Sequence, residues 1–164
     1  MKIEEAIKNR RSIRRYTKTA LKESDIEKIL DAARWAPSGL NNQPWKFKVI
    51  TDKSAKDSLS KFTKCSEILK EAPLLICVFL DKSASYNREK DIMAIGACIQ
   101  DMLLQAHGLG LATCWLGEIL NKKVDVAKFL SINSDYELMA VITVGYPDET
   151  EKGERKELDS LLIR

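Results

Sequence analysis

Asp91-Ile-Met-Ala-Ile-Gly-Ala-Cys-Ile-Gln-Asp-Met-Leu-Leu-Gln-Ala-His107 is the stretch on which the fold turns. Wound at about 3.6 residues per turn, Ile92, Met93, Ala94, Ile95, Ala97, Cys98, Ile99, Met102, Leu103 and Leu104 cover nearly the whole circumference of a helix. A helix of this kind is central, packed from several sides. Upstream of it, Leu74 to Leu80 is continuously apolar, rich in branched side chains and introduced by Pro73, so it reads as a strand buried on both faces. The longest apolar runs, Leu74 to Leu80 and Ile92 to Ile99, fall far short of the roughly 18 to 20 residues that cross a bilayer.

Working outward, Ile3, Ala6 and Ile7 recur at helical spacing and give way to Arg10-Arg11-Ser12-Ile13-Arg14-Arg15-Tyr16, which predicts a short first helix followed by a basic turn. Ser24 and Glu27 have the spacing of a capping box, Ile26, Ile29, Leu30 and Ala33 supply the apolar stripe of a second helix, and Pro37 stops it. Pro37-Ser38-Gly39-Leu40-Asn41-Asn42-Gln43-Pro44 is a loop dense in turn residues and side-chain amides. Trp45 to Thr51 sets Trp, Phe and Val against Lys46 and Lys48, a strand with one wet face. Asp52 to Glu71 reads as polar helix, and Asp81 to Lys90 as a charged connection with room to move. Gly108-Leu-Gly110 ends the central helix, and Leu111 to Leu116 is a short strand running into Gly117. Asn121 to Leu130 reads as an amphipathic helix capped by Asn121, Leu138 to Gly145 as a strand closed by Tyr146-Pro147, and Asp148 to Arg164 as a charged tail. With few tight hairpins, the alternation predicts a mixed α/β or α+β domain occupying residues 1–164.

A chain of 164 residues, 45% hydrophobic and 31% charged, has the composition of a globular protein that buries about 70% of its unfolded surface without disulfide or metal staples. Cys65, Cys77, Cys98 and Cys114 form no CxxC pair and no zinc spacing; they read as small buried hydrophobes in a reducing compartment, and no metal is expected. The charged amino terminus lacks the apolar stretch of a signal peptide, so a cytoplasmic location is the expectation. The net charge of +3 hides an asymmetry: residues 1–22 carry eight basic side chains against Glu4 and Glu5, a net +6, which leaves −3 for the remainder. The cluster suits an anion, since arginine forks match phosphate and carboxylate geometry. A solvated helix end and a nucleic-acid patch are the alternatives, the latter opposed by the acidic remainder and the want of a second basic stripe. Neither GxGxxG nor a P-loop occurs, and His107 is the single histidine, so nucleophilic triads and multi-histidine metal sites have no support. Any redox or group-transfer chemistry here belongs to a bound cofactor.

Taken in order, Arg10-Arg11-Ser12-Ile13-Arg14-Arg15-Tyr16 and Ala36-Pro37-Ser38-Gly39-Leu40-Asn41-Asn42-Gln43-Pro44-Trp45 resemble the opening motifs of the nitroreductase family of FMN-dependent oxidoreductases. The likeness continues through Ala94 to Leu116 and the following Gly117, and closes with Val144-Gly145-Tyr146-Pro147 and Arg155-Lys156. The resemblance implies an α+β fold, a mixed sheet flanked by helices, assembled as an intertwined homodimer with FMN at the interface. A helix apolar on all faces, with Gly96 and Ala97 permitting close approach, agrees with that on separate grounds.

Carried over residue by residue, the resemblance places Arg10, Arg11, Ser12 and Arg14 on FMN, Arg10 and Ser12 toward the phosphate and Arg14 at the pyrimidine edge. Pro37, Ser38, Gly39 and Asn41 correspond to the loop that reaches the flavin from the partner subunit. Leu116, Gly117 and Glu118 correspond to the segment passing flavin N5, with a backbone N–H of Gly117 or Glu118 as donor. Arg155 corresponds to the end of the phosphate site, with Lys156 beside it left open as a second contact, although Glu151, Glu154 and Glu157 offer Arg155 a purely structural pairing. The implied activity passes hydride from NADH or NADPH through flavin N5 to a nitroaromatic, quinone or similar small acceptor by a ping-pong cycle, with no catalytic side chain. A dehalogenase-like or flavin-destroying enzyme of the same fold is the nearest alternative. The chain is short for the family, with little room for the helices that wall the substrate channel in larger members.

Overall fold

The computed structural model describes residues 2–164. Ten elements carry the fold: α1 Ile3–Asn9, α2 Glu23–Arg34, β1 Trp45–Ile50, α3 Lys53–Leu59, α4 Ser66–Glu71, β2 Leu74–Asp81, α5 Arg88–Gly108, β3 Ala112–Leu116, α6 Lys123–Phe129 and β4 Tyr136–Gly145. The strands form one sheet in the order β1-β2-β4-β3, every pair antiparallel. A single parallel bridge from Ser12 to Thr113 lays the basic turn beside β3, and the fold is of the α+β class with its four strands all antiparallel.

The sheet divides two cores. Leu74, Ile76, Val78 and Leu80 of β2 face α2 and α5, whereas Leu75, Cys77 and Phe79 face α3, α4 and α6. All eight residues of β2 are buried, as expected for a central strand with both faces covered. In α5, Asp91, Ala94, Ile95, Cys98, Ile99, Met102, Leu103 and Ala106 are buried, while Met93 remains 63% exposed. Among the described residues no helix is long and apolar enough to cross a membrane.

Several local expectations change. The helix α2 begins at Glu23 with Lys22 as its cap residue, so Ser24 lies inside the first turn and the Ser24–Glu27 box does not form. Asn121 lies within a 3-10 turn, Glu118–Lys122, that precedes α6, and its side chain donates to Glu118 instead of capping a helix. The segment 52–71 is two helices broken by a second 3-10 turn and the run Thr63-Lys64-Cys65. On edge strand β1, Val49 stays 39% exposed although it shares a face with buried Trp45. The connection 81–87 is tied down: Ser83 N–H and Oγ donate to Asp81, and Ser85 Oγ to Asp91.

Ile76 is fully buried between the sheet and α5. Replacing it with alanine removes about three carbons from a packed layer and costs about 2–5 kcal/mol, read as a lower denaturation midpoint in urea with an unchanged slope.

Candidate functional site

The basic turn is an extended strap laid along the sheet edge. Ile13 N–H donates to the Thr113 carbonyl (3.0 Å), Thr17 N–H to Tyr146 (2.9 Å) and Asp148 N–H to Arg15 (3.0 Å). Ile13 and Tyr16 are its buried anchors. The Tyr16 hydroxyl lies 2.5 Å from the Ile13 carbonyl and 2.6 Å from Thr143 Oγ1, a buried polar pair, and burial pushes its phenol well up. From the other side, Glu149 accepts the backbone N–H groups of Arg14 (2.6 Å) and Arg15 (3.2 Å).

This anchoring fixes the backbone and leaves the guanidiniums without acidic partners. Arg10 Nε and Arg11 Nε are buried and have no hydrogen-bond partner. Arg11 Nη1 donates only to the carbonyls of Lys8 (2.6 Å) and Arg10 (2.8 Å), and Arg14 Nη1 to that of Ser12 (3.2 Å). The carboxyl-terminal segment passes close by: a Cβ on Gly153 would lie 3.3 Å from Arg11 Nε and 3.4 Å from Arg155 Nη1. Burial, then the charges of Arg155 and Arg11, hold Arg10 below its ordinary pKa, which places the three guanidiniums in one field. Among the described residues none of Arg10, Arg11, Arg14 and Arg155 makes an ion pair, so the glutamates flanking Arg155 do not neutralise it. Arg155 Nη1 donates instead to the Glu154 carbonyl (2.8 Å).

A cleft of about 270 Å³ opens here, lined by Arg10, Arg11, Ile13, His107, Thr113 and Glu149 among others. Burial, then Arg10 and Arg11, lowers the pKa of His107, so the imidazole is neutral at pH 7. Converging guanidiniums with buried, unpartnered Nε groups are suited to a phosphate, whose oxygens accept several charge-assisted bonds at once.

Farther along β3, Leu116 is buried and Gly117 is exposed, with nothing within 4 Å of where its Cβ would stand. The Glu118 carboxylate accepts the Thr63 hydroxyl and the Lys64 N–H (2.9 Å), and these bonds keep it below the usual carboxylate range. It is therefore turned toward the α3–α4 junction. Thr63, Lys64, Thr143 and Glu149 went unmarked in the sequence, because each acts on a segment distant in the chain and none stands in a local pattern.

Pro37, Ser38, Gly39 and Asn41 lie elsewhere, in the loop after α2, against the first turn of α5. There Asn42 Nδ2 donates to Asp91 Oδ1 (2.8 Å). Asp91 and His107 stand at opposite ends of α5, about 24 Å apart along its axis. Within one chain the strap and this loop are not brought together.

A model of the nitroreductase family matches residues 7–66 and 62–146. A protein of Methanothermobacter thermautotrophicus described as an NADH dehydrogenase/NAD(P)H nitroreductase is 34% identical over 91% of this chain and 79% of its own length. An iodotyrosine deiodinase of Thermotoga neapolitana is 30% identical over 87% of each chain. Among solved structures, a protein of Desulfovibrio desulfuricans described as a nitroreductase, in complex with FMN, superposes with a TM-score of 0.97 at 42% identity, covering 100% of this chain and 96% of that one. Strap, sheet and central helix all fall within these matches, and the chain belongs to the nitroreductase family.

Proposed function

We propose that this protein is an FMN-dependent NAD(P)H oxidoreductase, in which bound flavin supplies hydride chemistry at N5 between NADH or NADPH and a nitroaromatic, quinone or similar acceptor, by a ping-pong cycle. One observation carries the reading: Arg10, Arg11 and Arg155 converge while two of their Nε groups are buried and unpartnered. Arg10 and Ser12, with Arg155 from the tail, hold the phosphate. Arg14, exposed beyond Ser12, brings positive charge to the pyrimidine edge and so favours the reduced state. A backbone N–H of Gly117 or Glu118 donates toward N5, with Leu116 as its buried footing. The Glu118 carboxylate is engaged by Thr63 and Lys64 and does not offer a competing negative charge there. No side chain acts as a nucleophile.

The working form is a homodimer with the site at the interface. Placement of strap and loop at opposite ends of α5 supports this, since an antiparallel copy of α5 sets each loop beside the other chain's strap. Pro37, Ser38, Gly39 and Asn41 then meet the flavin of the second copy. Exposed apolar side chains support it too: Ile3 (76%) and Trp35 (74%) line a shallow hollow with Leu104 of α5, and Leu40 (86%) and Met93 (63%) are open to solvent. Residues 151–164 are exposed throughout, including Leu158, Leu161, Leu162 and Ile163, as befits an arm that packs on another chain. A reducing cytoplasm suits the four free cysteines, of which burial pushes Cys77 and Cys98 up to about 12. The deiodinase relative favours reductive dehalogenation as the second reading, on the same flavin and the same residues.

Protein purified without added cofactor is expected to be a yellow dimer with about one FMN per subunit, bleached by anaerobic NADH or NADPH and turning over with a quinone or nitroaromatic. The Arg10→Ala/Arg14→Ala variant loses charge-assisted bonds and binds FMN at least about a hundredfold more weakly. A colourless wild-type protein that cannot be reconstituted overturns the reading; turnover with a halogenated phenol alone selects the dehalogenase.

A second expectation concerns His107. As the single histidine it gives one isolated imidazole signal, titrating below 6.5 in the FMN-free protein. An FMN phosphate beside Arg10 and Arg11 offsets the charges that depress it, so the titration moves upward on FMN binding. The folded pKa lies below the unfolded one, so the unfolded chain binds the extra proton first. The contribution of His107 to stability is complete above about pH 6.5 and is lost as pH falls through the depressed value. His107→Gln makes the acid side of the stability profile shallower.

A further inference from the structure

The loop that carries Ser38, Gly39 and Asn41 has an unusual backbone. Leu40 (φ 57), Asn41 (φ 54) and Gln43 (φ 46) all occupy the left-handed region, where a side chain crowds its own carbonyl. A run of this kind persists only when its surroundings over-determine it. Its internal bonds are Asn41 N–H to the Ser38 carbonyl (3.1 Å), Asn42 N–H to that of Gly39 (3.1 Å), Gln43 N–H to Ser38 Oγ (3.0 Å) and Gln43 Nε2 to the Asn41 carbonyl (3.2 Å). Leu40 is 86% exposed, so no packing against its own chain holds the turn from outside.

The restraint comes from behind, from the first turn of α5 and the connection before it. Asp91 is fully buried, and one carboxylate oxygen accepts Ser85 Oγ (2.6 Å), Tyr86 N–H (3.1 Å) and Asn87 N–H (3.2 Å). The other accepts Asn42 Nδ2 (2.8 Å), whose second hydrogen goes to the Ala84 carbonyl (3.0 Å). Burial works against the charge of Asp91, yet the bonds from Ser85, Asn42, Asn87 and Tyr86 outweigh it and hold the group below its ordinary range. Tyr86, positioned by its own N–H on Asp91, lays its ring against Gly39: a Cβ there would stand 1.9 Å from the phenolic oxygen. One carboxylate thus fixes both ends of the grip, Asn42 directly and Gly39 through Tyr86. Ala84 and Tyr86, set in place by Asp91, clamp the loop.

We propose that Asp91 is a positioning residue for the flavin site of the opposite subunit, holding Ser38, Gly39 and Asn41 in the conformation that the second copy's FMN meets. This rests on the reading of an FMN-binding homodimer given above. In that dimer the charge buried in one chain sets the geometry of the cofactor pocket in the other, with no contact to the flavin itself.

Hybrid dimers carrying two affinity tags test the proposal. In the first hybrid one subunit carries Asp91→Asn and the other Arg10→Ala/Arg14→Ala. Its single competent strap meets a wild-type loop, and it is expected to hold one FMN with wild-type affinity and visible spectrum. In the second hybrid all three substitutions sit in one subunit beside a wild-type partner. Its single competent strap meets the Asp91→Asn loop, and FMN affinity falls about tenfold with a displaced flavin absorption band. Asn42→Ala, which cuts the tie while sparing the other three bonds of Asp91, gives the same pattern if Asp91→Asn folds poorly. The reverse pattern, equal affinities in the two hybrids, or impairment of both with either loop variant overturns the proposal. A wild-type protein that is monomeric or binds no FMN fails before the hybrids are made, and that failure belongs to the underlying reading.

Discussion

Covering α5 is the constraint to which the rest of the structure answers. A helix of 21 residues with apolar side chains around most of its circumference cannot present a clean polar face to water. The sheet covers one side through Leu74, Ile76, Val78, Leu80, Ala140 and Ile142, and α2 covers a second through Ile29 and Ala33. Met93, Gly96, Ala97, Gln100 and Leu104 stay exposed or half-buried, and this uncovered side lies among the exposed apolar residues Ile3 and Trp35. The hydrophobic effect that builds the fold is therefore incompletely satisfied on this side of α5 within one chain.

The second constraint is electrostatic. Four arginines crowd into the strap and a fifth arrives from the tail, yet none of Arg10, Arg11, Arg14 and Arg155 pairs with an acid among the described residues. Glu149 takes two strap N–H groups, and Glu118 takes the Thr63 hydroxyl and the Lys64 N–H. Carboxylates committed in this way shape the chain without cancelling the guanidiniums. Partial burial of Arg10 beside Arg11 and Arg155 is unfavourable in the absence of an anion, and an anion bound there removes that repulsion. Ligand binding and local stability are linked at this end of α5.

How much of this was legible in the sequence follows the range of the interactions. Strand β2 and helix α5 were readable because an unbroken apolar run and an apolar circumference leave few alternatives. The strap was readable as a basic segment, and its match to the family motif singled out Arg10, Arg11, Ser12 and Arg14. Caps were not: Ser24 and Asn121 are good local candidates, but α2 starts one residue before Ser24, and a 3-10 turn takes up Asn121. Glu149 and Thr143 were invisible because each meets the strap across more than a hundred residues of chain, and no periodicity reports such a contact. The connection 82–90 looked free because charge and polarity suggest solvent, whereas two buried carboxylates, Asp81 and Asp91, draw its polar groups inward.

These constraints meet on a single rigid element. α5 carries His107 beside the strap at one end and Asp91 beneath the strained loop at the other, and a helix of this length does not bend to bring its ends together. Strain at Leu40, Asn41 and Gln43 contributes nothing to the packing of its own chain, since the turn projects into solvent. The stability of the core supports it, through a buried carboxylate that is itself costly to place there. The chain commits a buried charge to holding an exposed, strained turn about 24 Å along α5 from its own strap, an arrangement that the proposed homodimer would put to use.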